Sequence, residues 1–134
     1  MIRVIIADDH TLVRRSIHAL LDRAVDIEVV GEAQDGMEVL ELTRELKPDL
    51  VIMDVSMPKL NGIAATAQIQ KQELSSKVVI LSMHANQSLV QKALQSGAQG
   101  YLLKRTVSDE LLLAIHQVFN GEVFLSRSLV SQDS

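Results

Sequence analysis

Two hydrophobic periods alternate along the chain. Short runs of β-branched and aliphatic residues predict strands over residues 2–8, 27–33, 50–54, 77–83 and 100–104, and longer stretches with helical spacing lie between them. VIIA, LVIM and VVIL are apolar without alternation, the pattern of strands in a parallel sheet covered on both faces, so these three are expected at its centre. Leu12, Val13, Ile17, Leu20, Leu21 and Ala24 share one helical stripe, as do Val39, Leu40, Thr43 and Leu46, then Leu89, Val90, Ala93, Leu94 and Gly97, and last Leu111, Leu112, Ile115, Val118 and Phe119. A further helix is expected over about residues 63–70. Asp35 with Glu38 and Thr106 with Asp109 stand at capping-box spacing, Asn86 can cap a helix, and Gly97 and Gly121 suit helix ends. Asp35-Gly36 and Asn61-Gly62 read as turns, with Pro58 ordering the loop after Asp54.

Five strand–helix units cannot close an eight-fold barrel. The expected fold is a single α/β domain, a doubly wound five-stranded parallel sheet of (βα)5 flavodoxin-like type in the order 2-1-3-4-5, with right-handed crossovers. After Gly121, residues 122–134 contain a short apolar run, VFL, and then the polar stretch SRSLVSQDS without periodicity, which reads as the start of a linker.

Composition narrows the chemistry. The 134 residues include no cysteine, which removes disulfides, thiolate-bound zinc and thiol nucleophiles and suits a reducing compartment. Thirteen basic against seventeen acidic residues give a net charge of −4, with no large basic surface for a phosphate backbone. Tyr101, Phe119 and Phe124 are too few for a base-stacking platform. The start, MIRVIIADDH, is unlike a secretory signal, and no apolar run nears the roughly 18 residues of a membrane span, so a cytoplasmic domain without membrane contact is expected.

In an open parallel sheet, ligands bind beyond the carboxyl ends of the strands at the switch point. The first strand runs into Asp8-Asp9, the third ends in Asp54, the fourth reaches Ser82 and the fifth Lys104. Three carboxylates at one rim repel each other unless a cation stands among them, and a hard divalent ion such as Mg²⁺ suits oxygen donors better than zinc does. With Ser82 as hydroxyl donor and Lys104 as fixed positive charge, the set complements a phosphoryl group, and Asp54, central on its strand, is the candidate nucleophile. Asp8-Asp9 also stand where a helix N-terminus welcomes acids, which is compatible with metal binding. His10, His18, His84 and His116 share no metal-ligand spacing, and Met53 and Met57 read as packing residues.

Asp8, Asp9, Asp54, Ser82, Tyr101 and Lys104 together resemble the receiver domain of two-component response regulators. IIADDHTLVRRSIHALL, VVGEAQDG, PDLVIMDVSMPKLNGI, VVILSMH and GAQGYLLK, in this order, narrow the resemblance to the NarL/FixJ class over roughly residues 2–125. The resemblance implies that Asp54 is the phosphoacceptor, and that Mg²⁺ is held by Asp9, Asp54, the backbone carbonyl of Ser56 and, through water, Asp8. It implies that Ser82 moves toward the phosphoryl group, that Lys104 pairs with it, and that Tyr101 is an aromatic switch whose ring turns inward. The side chains of Ser56 and His84 lie where the family tunes self-dephosphorylation. The chain departs from the common pattern in carrying Arg105, not proline, after Lys104, which excludes a cis X-Pro bond there.

The implied function is a phosphorylation-dependent signalling switch, not a turnover enzyme, with self-phosphorylation from small donors and self-dephosphorylation expected. The implied organisation is a receiver over residues 1–121 and the start of an interdomain linker over 122–134, with any DNA binding left to a helix-turn-helix domain outside this chain. A sensor histidine kinase is the implied partner. A homodimer could form through helix 4, strand 5 and helix 5, or through helix 1 and helix 5. Two alternatives compete: a Mg²⁺-dependent phosphatase working through an aspartyl phosphate, and a receiver-like interaction module independent of phosphorylation. The first is disfavoured because Ser56 stands where many such phosphatases carry a second aspartate.

Overall fold

A computed structural model describes residues 1–131, with the backbone alone for the last two. The elements are β1 (Ile2–Ala7), α1 (Thr11–Asp22), β2 (Ile27–Ala33), α2 (Gly36–Leu46), β3 (Leu50–Asp54), α3 (Gly62–Lys71), β4 (Lys77–Ser82), α4 (Gln87–Gln95), β5 (Gly100–Leu103), α5 (Val107–Phe119), β6 (Phe124–Leu125) and α6 (Arg127–Ser131). All strand pairs are parallel, in the order β2-β1-β3-β4-β5-β6. The expected order holds, but the sheet has six strands where the hydrophobic pattern predicts five.

The unbroken apolar runs serve two cores at once. On β3, Val51 and Met53 face one side with Ile5, Ile80 and Leu103, against Val39 and Leu40 of α2, Ala65 and Ile69 of α3, and Val90 and Ala93 of α4. Leu50 and Ile52 face the other with Ile6, Val79, Leu81 and Leu102, against Ile17 and Leu21 of α1 and Leu111, Ile115 and Val118 of α5. Alternate residues thus point to opposite layers, and every residue of β3 is buried.

Local chemistry explains most of the helix ends. Asp35 Oδ1 accepts from Glu38 N at 2.8 Å, and Asn86 Oδ1 from Leu89 N at 2.8 Å. Glu38 reaches back to Gln34 N at 3.2 Å, one residue before the capping residue. Gly97 and Gly121 end helices with φ of 111° and 93°, values that favour glycine. The Thr106–Asp109 capping box does not form. Lys104–Thr106 is a 3-10 turn leading straight into α5, and the Thr106 hydroxyl instead donates to Glu110 Oε1 at 2.7 Å.

The segment after Gly121, read as the start of a linker, is built into the domain as far as it is described; residues 132–134 lie outside the described residues. β6 pairs Phe124 with Gly100 and Leu125 with Tyr101, covering the edge of β5, and Leu129 is buried among the α4-side core residues. Ser126 is fully buried and is the hub. Its N–H donates to Tyr101 O at 3.0 Å, its Oγ accepts from Leu103 N at 2.9 Å, and its hydroxyl donates to Glu110 Oε1 at 2.7 Å. Arg127 N donates to Glu110 Oε2 at 2.9 Å.

Ser126→Val is expected to cost about 1–3 kcal/mol, because it leaves a buried amide and a buried carboxylate oxygen short of a partner. Chemical denaturation measures the loss, and amide exchange should quicken in α6; a loss under about 0.5 kcal/mol would show that the hub is dispensable. The clamp also has a pH signature. Burial opposes the charge on Glu110, but the bonds from Arg127 N–H, Ser126 and Thr106 outweigh it and hold its pKa below the ordinary 4.5. A depressed acid stabilises the fold above its unfolded pKa, so this contribution is present above pH 4.5 and is lost as pH falls through the folded value.

Candidate functional site

The polar residues at the strand ends meet at the carboxyl edge between β1 and β3, where the crossovers diverge. Asp8 and Lys104 stand one residue beyond their ladders and Asp54 ends β3. Asp8 and Asp54 are buried, and Lys104 Nζ lies 3.0 Å from Asp8 Oδ2 and 3.3 Å from Asp54 Oδ2. Asp9 is exposed beside them, and Ser56 N donates to Asp54 Oδ1 at 3.2 Å.

Glycine lets the loop after β3 close. The α3 N-terminus rests on the Asp54 carbonyl so closely that a Cβ on Gly62 would stand 2.1 Å from that oxygen, and a Cβ on Gly36 would stand 2.0 Å from Leu60 O. The pairs read as turns are therefore cap-plus-glycine starts of helices, and Asn61 Oδ1 accepts from Ala64 N at 2.8 Å.

Burial pushes the Asp54 carboxyl above its usual range, the Asp8 charge adds to this, and Lys104 opposes it. For Lys104, burial alone would favour the neutral amine, but the hydrogen bond and charges from Asp8 and Asp54 outweigh it and raise the pKa. Asp8 Oδ2 and Asp54 Oδ2 are buried without a well-directed hydrogen bond; each has the Lys104 ammonium at ion-pair distance. Ligand atoms of Asp8, Asp9, His10 and Asp54 lie within 4.8 Å of one another. Three carboxylates and two orphaned buried oxygens fit a hard divalent cation such as Mg²⁺.

His10 belongs to this cluster although no histidine spacing pointed to it. Its Nδ1 lies 3.1 Å from Asp8 Oδ1 and 3.2 Å from Asp9 Oδ1. The signal was in the run Asp8-Asp9-His10, where the carboxylates, not other histidines, are its neighbours. His10 is also the N-cap of α1, without a side-chain cap bond, so neither acid caps that helix.

Ser82, at the end of β4, is buried, and its Oγ accepts from His84 N at 2.9 Å. The Tyr101 hydroxyl donates to His84 O at 2.9 Å, and the ring is fully buried. Burial raises the Tyr101 pKa, while hydrogen bonding from Ser82 pulls the other way. Ser82, His84 and Tyr101 therefore form one connected group beside the acid pocket.

The fold and its rim define the class: a flavodoxin-like α/β protein with an acidic, lysine-bearing pocket at the switch point of its sheet. Residues 4–116 match the response regulator receiver domain, and the chain belongs to that family. It is 39% identical over 126 residues to the nitrate/nitrite response regulator protein NarL of Escherichia coli K12, covering 94% of this chain and 58% of that protein. It is 39% identical over 132 residues to the response regulator GacA of Pseudomonas aeruginosa, covering 98% and 62% respectively. The chain thus spans about 60% of the length of these curated relatives. The signal receiver domain of the NarL response regulator from Mycobacterium tuberculosis superposes with a TM-score of 0.87 at 36% identity, covering 90% of this chain and 98% of that one. A LuxR-family two-component response regulator from an Aurantimonas species gives 0.92 at 34%, covering 96% and 92%. No helix among the described residues is long and apolar enough to cross a membrane.

Proposed function

We propose that this domain accepts a phosphoryl group on Asp54 from a sensor histidine kinase, with Mg²⁺ bound, and that the modified domain changes its partner preference. The observation that carries the reading is the buried Asp54 carboxylate at the end of β3, with an oxygen lacking a directed hydrogen bond and with Lys104 and Asp8 at its side. Asp54 Oδ2 attacks phosphorus; the new O–P bond forms as the N–P bond of the kinase phosphohistidine breaks, and the imidazole leaves with its bonding pair and takes up a proton. Lys104, already charged, pairs with the incoming phosphoryl oxygens, and the Ser82 hydroxyl donates to one of them.

Asp9, Asp54, the Ser56 carbonyl and, through water, Asp8 would hold the Mg²⁺, with His10 at their margin. The bound ion supplies charge neutralisation for the acids and the phosphoryl oxygens. Ser82 sits in the His84–Tyr101 group, so recruiting its hydroxyl disturbs the bonds that hold the β4–α4 loop. His84 and the Ser56 side chain, both exposed at the rim, govern how water reaches the aspartyl phosphate. The reading places the domain in the cytoplasm and the DNA-binding function in a domain beyond this chain. It admits two faces for self-association; at α4, β5 and α5 a partner meets β6 and α6, not a bare β5 edge.

Intact mass after incubation with a small phosphoryl donor tests this reading. A gain of one phosphoryl group that requires Mg²⁺ is expected. No gain with or without the ion would leave a receiver-shaped interaction module, and steady hydrolysis of a generic phosphomonoester would point to the phosphatase.

A further inference from the structure

A guanidinium that the proposed chemistry does not use stands directly behind the acid pair. Arg14 lies on the inner face of α1 in line with Ile17 and Leu21, and it is only 8% exposed. An apolar stripe does not need a charge there, and a buried charge is costly unless fully partnered. Its partners are specific. Nη1 donates to the main-chain carbonyl of Asp8 at 2.7 Å, Nε to Glu32 Oε1 at 3.2 Å, and Nη2 reaches Thr11 Oγ1 at 3.5 Å. Glu32 in turn meets His18 Nδ1 at 2.7 Å through its other oxygen.

We propose that Arg14 is a positioning residue for the cation site: by gripping the Asp8 carbonyl it fixes the Asp8–Asp9 peptide plane and so aims both carboxylates at Asp54. This role rests on the Mg²⁺-dependent function proposed for Asp54. The peptide on the other side of Asp8 is already tied, its N–H donating to Ala33 O at 3.0 Å, and His10 N closes on Asp8 Oδ1 at 2.8 Å. The Asp8–Asp9 plane is the remaining hinge, and Asp9, half in solvent, has His10 alone as its ion-pair neighbour among the described residues. Released from Arg14, the hinge can turn and carry the Asp9 carboxylate away from the cluster. Glu32 has a second effect: it balances the Arg14 charge, so the guanidinium can hold the loop without repelling a cation a few bonds away.

The test is a Mg²⁺ titration of wild type, Arg14→Met and Arg14→Lys, read by the backbone amide resonances of Asp9, Val55 and Ser56 and by the initial rate of phosphorylation from a small donor. In Arg14→Met the half-saturating Mg²⁺ is expected to rise about 10–100-fold, the usual cost of losing a group that orients metal ligands, while the rate at saturating Mg²⁺ stays within about twofold. Arg14→Lys, which keeps a charged donor for the Asp8 carbonyl but loses the planar fork that reaches Glu32 at the same time, should fall between. If Arg14→Met does not fold, Arg14→Lys decides: a rise above about threefold supports the assignment and an unchanged value overturns it. A fall in the saturating rate with unchanged half-saturation also overturns it, since that is what a purely structural arginine would give. A wild-type domain blind to Mg²⁺ would overturn the underlying reading as well, and the wild-type titration alone reveals that.

Discussion

Asp54→Asn is expected to abolish the one-phosphoryl mass gain, lowering the rate of incorporation by at least about 10³-fold, the scale on which losing a nucleophile acts. An amide of the same shape fills the same space at the end of β3 but offers no anionic oxygen to phosphorus. Loss of activity through unfolding is a separate matter, and the electrostatics separate it. Burial and the Asp8 charge raise the Asp54 pKa, so the native state binds its proton more tightly than the unfolded chain. For a raised acid, stability is fullest below the unfolded value of 3.8 and declines as pH rises through the folded one. Above that folded value the ionised Asp54 therefore works against the fold, and its amide replacement should melt no lower than wild type. A variant that still gains the mass would move the phosphoacceptor elsewhere; one that melts much lower would show that the Asp54–Lys104 pair stabilises more than burial costs.

The sheet was legible because its signal is hydrophobic and continuous. A run such as LVIM is long enough to be buried on two faces and ends on Asp54, so both the centre of the sheet and the place where its chemistry gathers can be read from one segment. What escaped depends on polar partners distant in sequence. Ser126 and Arg127 read as linker residues, and only the fold brings them to Glu110, sixteen and seventeen positions earlier. Thr106 had the spacing of a capping residue, but its hydroxyl found Glu110 instead of the free N–H groups of α5. Arg14 interrupted an apolar stripe, a conflict between pattern and residue visible in the sequence, yet its partner is a main-chain carbonyl that no pattern displays. Tyr101 shows a different limit. Its burial agrees with its place on β5, but the bond that fixes it runs to the His84 carbonyl, which depends on how the β4–α4 loop turns.

Lys104→Met is expected to destabilise the domain by about 3 kcal/mol at neutral pH, the lower end of the range for removing one partner of a buried ion pair. The lower end applies because the lysine side chain is 15% exposed and water can partly replace it. Asp8 Oδ2 and Asp54 Oδ2 then face each other with no cation at ion-pair distance among the described residues. For a chain of this length the loss corresponds to a fall in Tm of roughly 10 °C. Two dependences distinguish this cause from simple loss of packing. Without the ammonium, the Asp54 pKa moves further up, so the deficit should shrink as pH falls through that raised value and the carboxylate takes a proton. Mg²⁺ should also raise the Tm of the variant more than that of wild type, because it restores positive charge where the lysine was and stabilises by mass action. A deficit unchanged from pH 7 to pH 4 and indifferent to Mg²⁺ would mean that Lys104 acts through its methylene stem, and that Asp8 and Asp54 are reconciled by something other than positive charge.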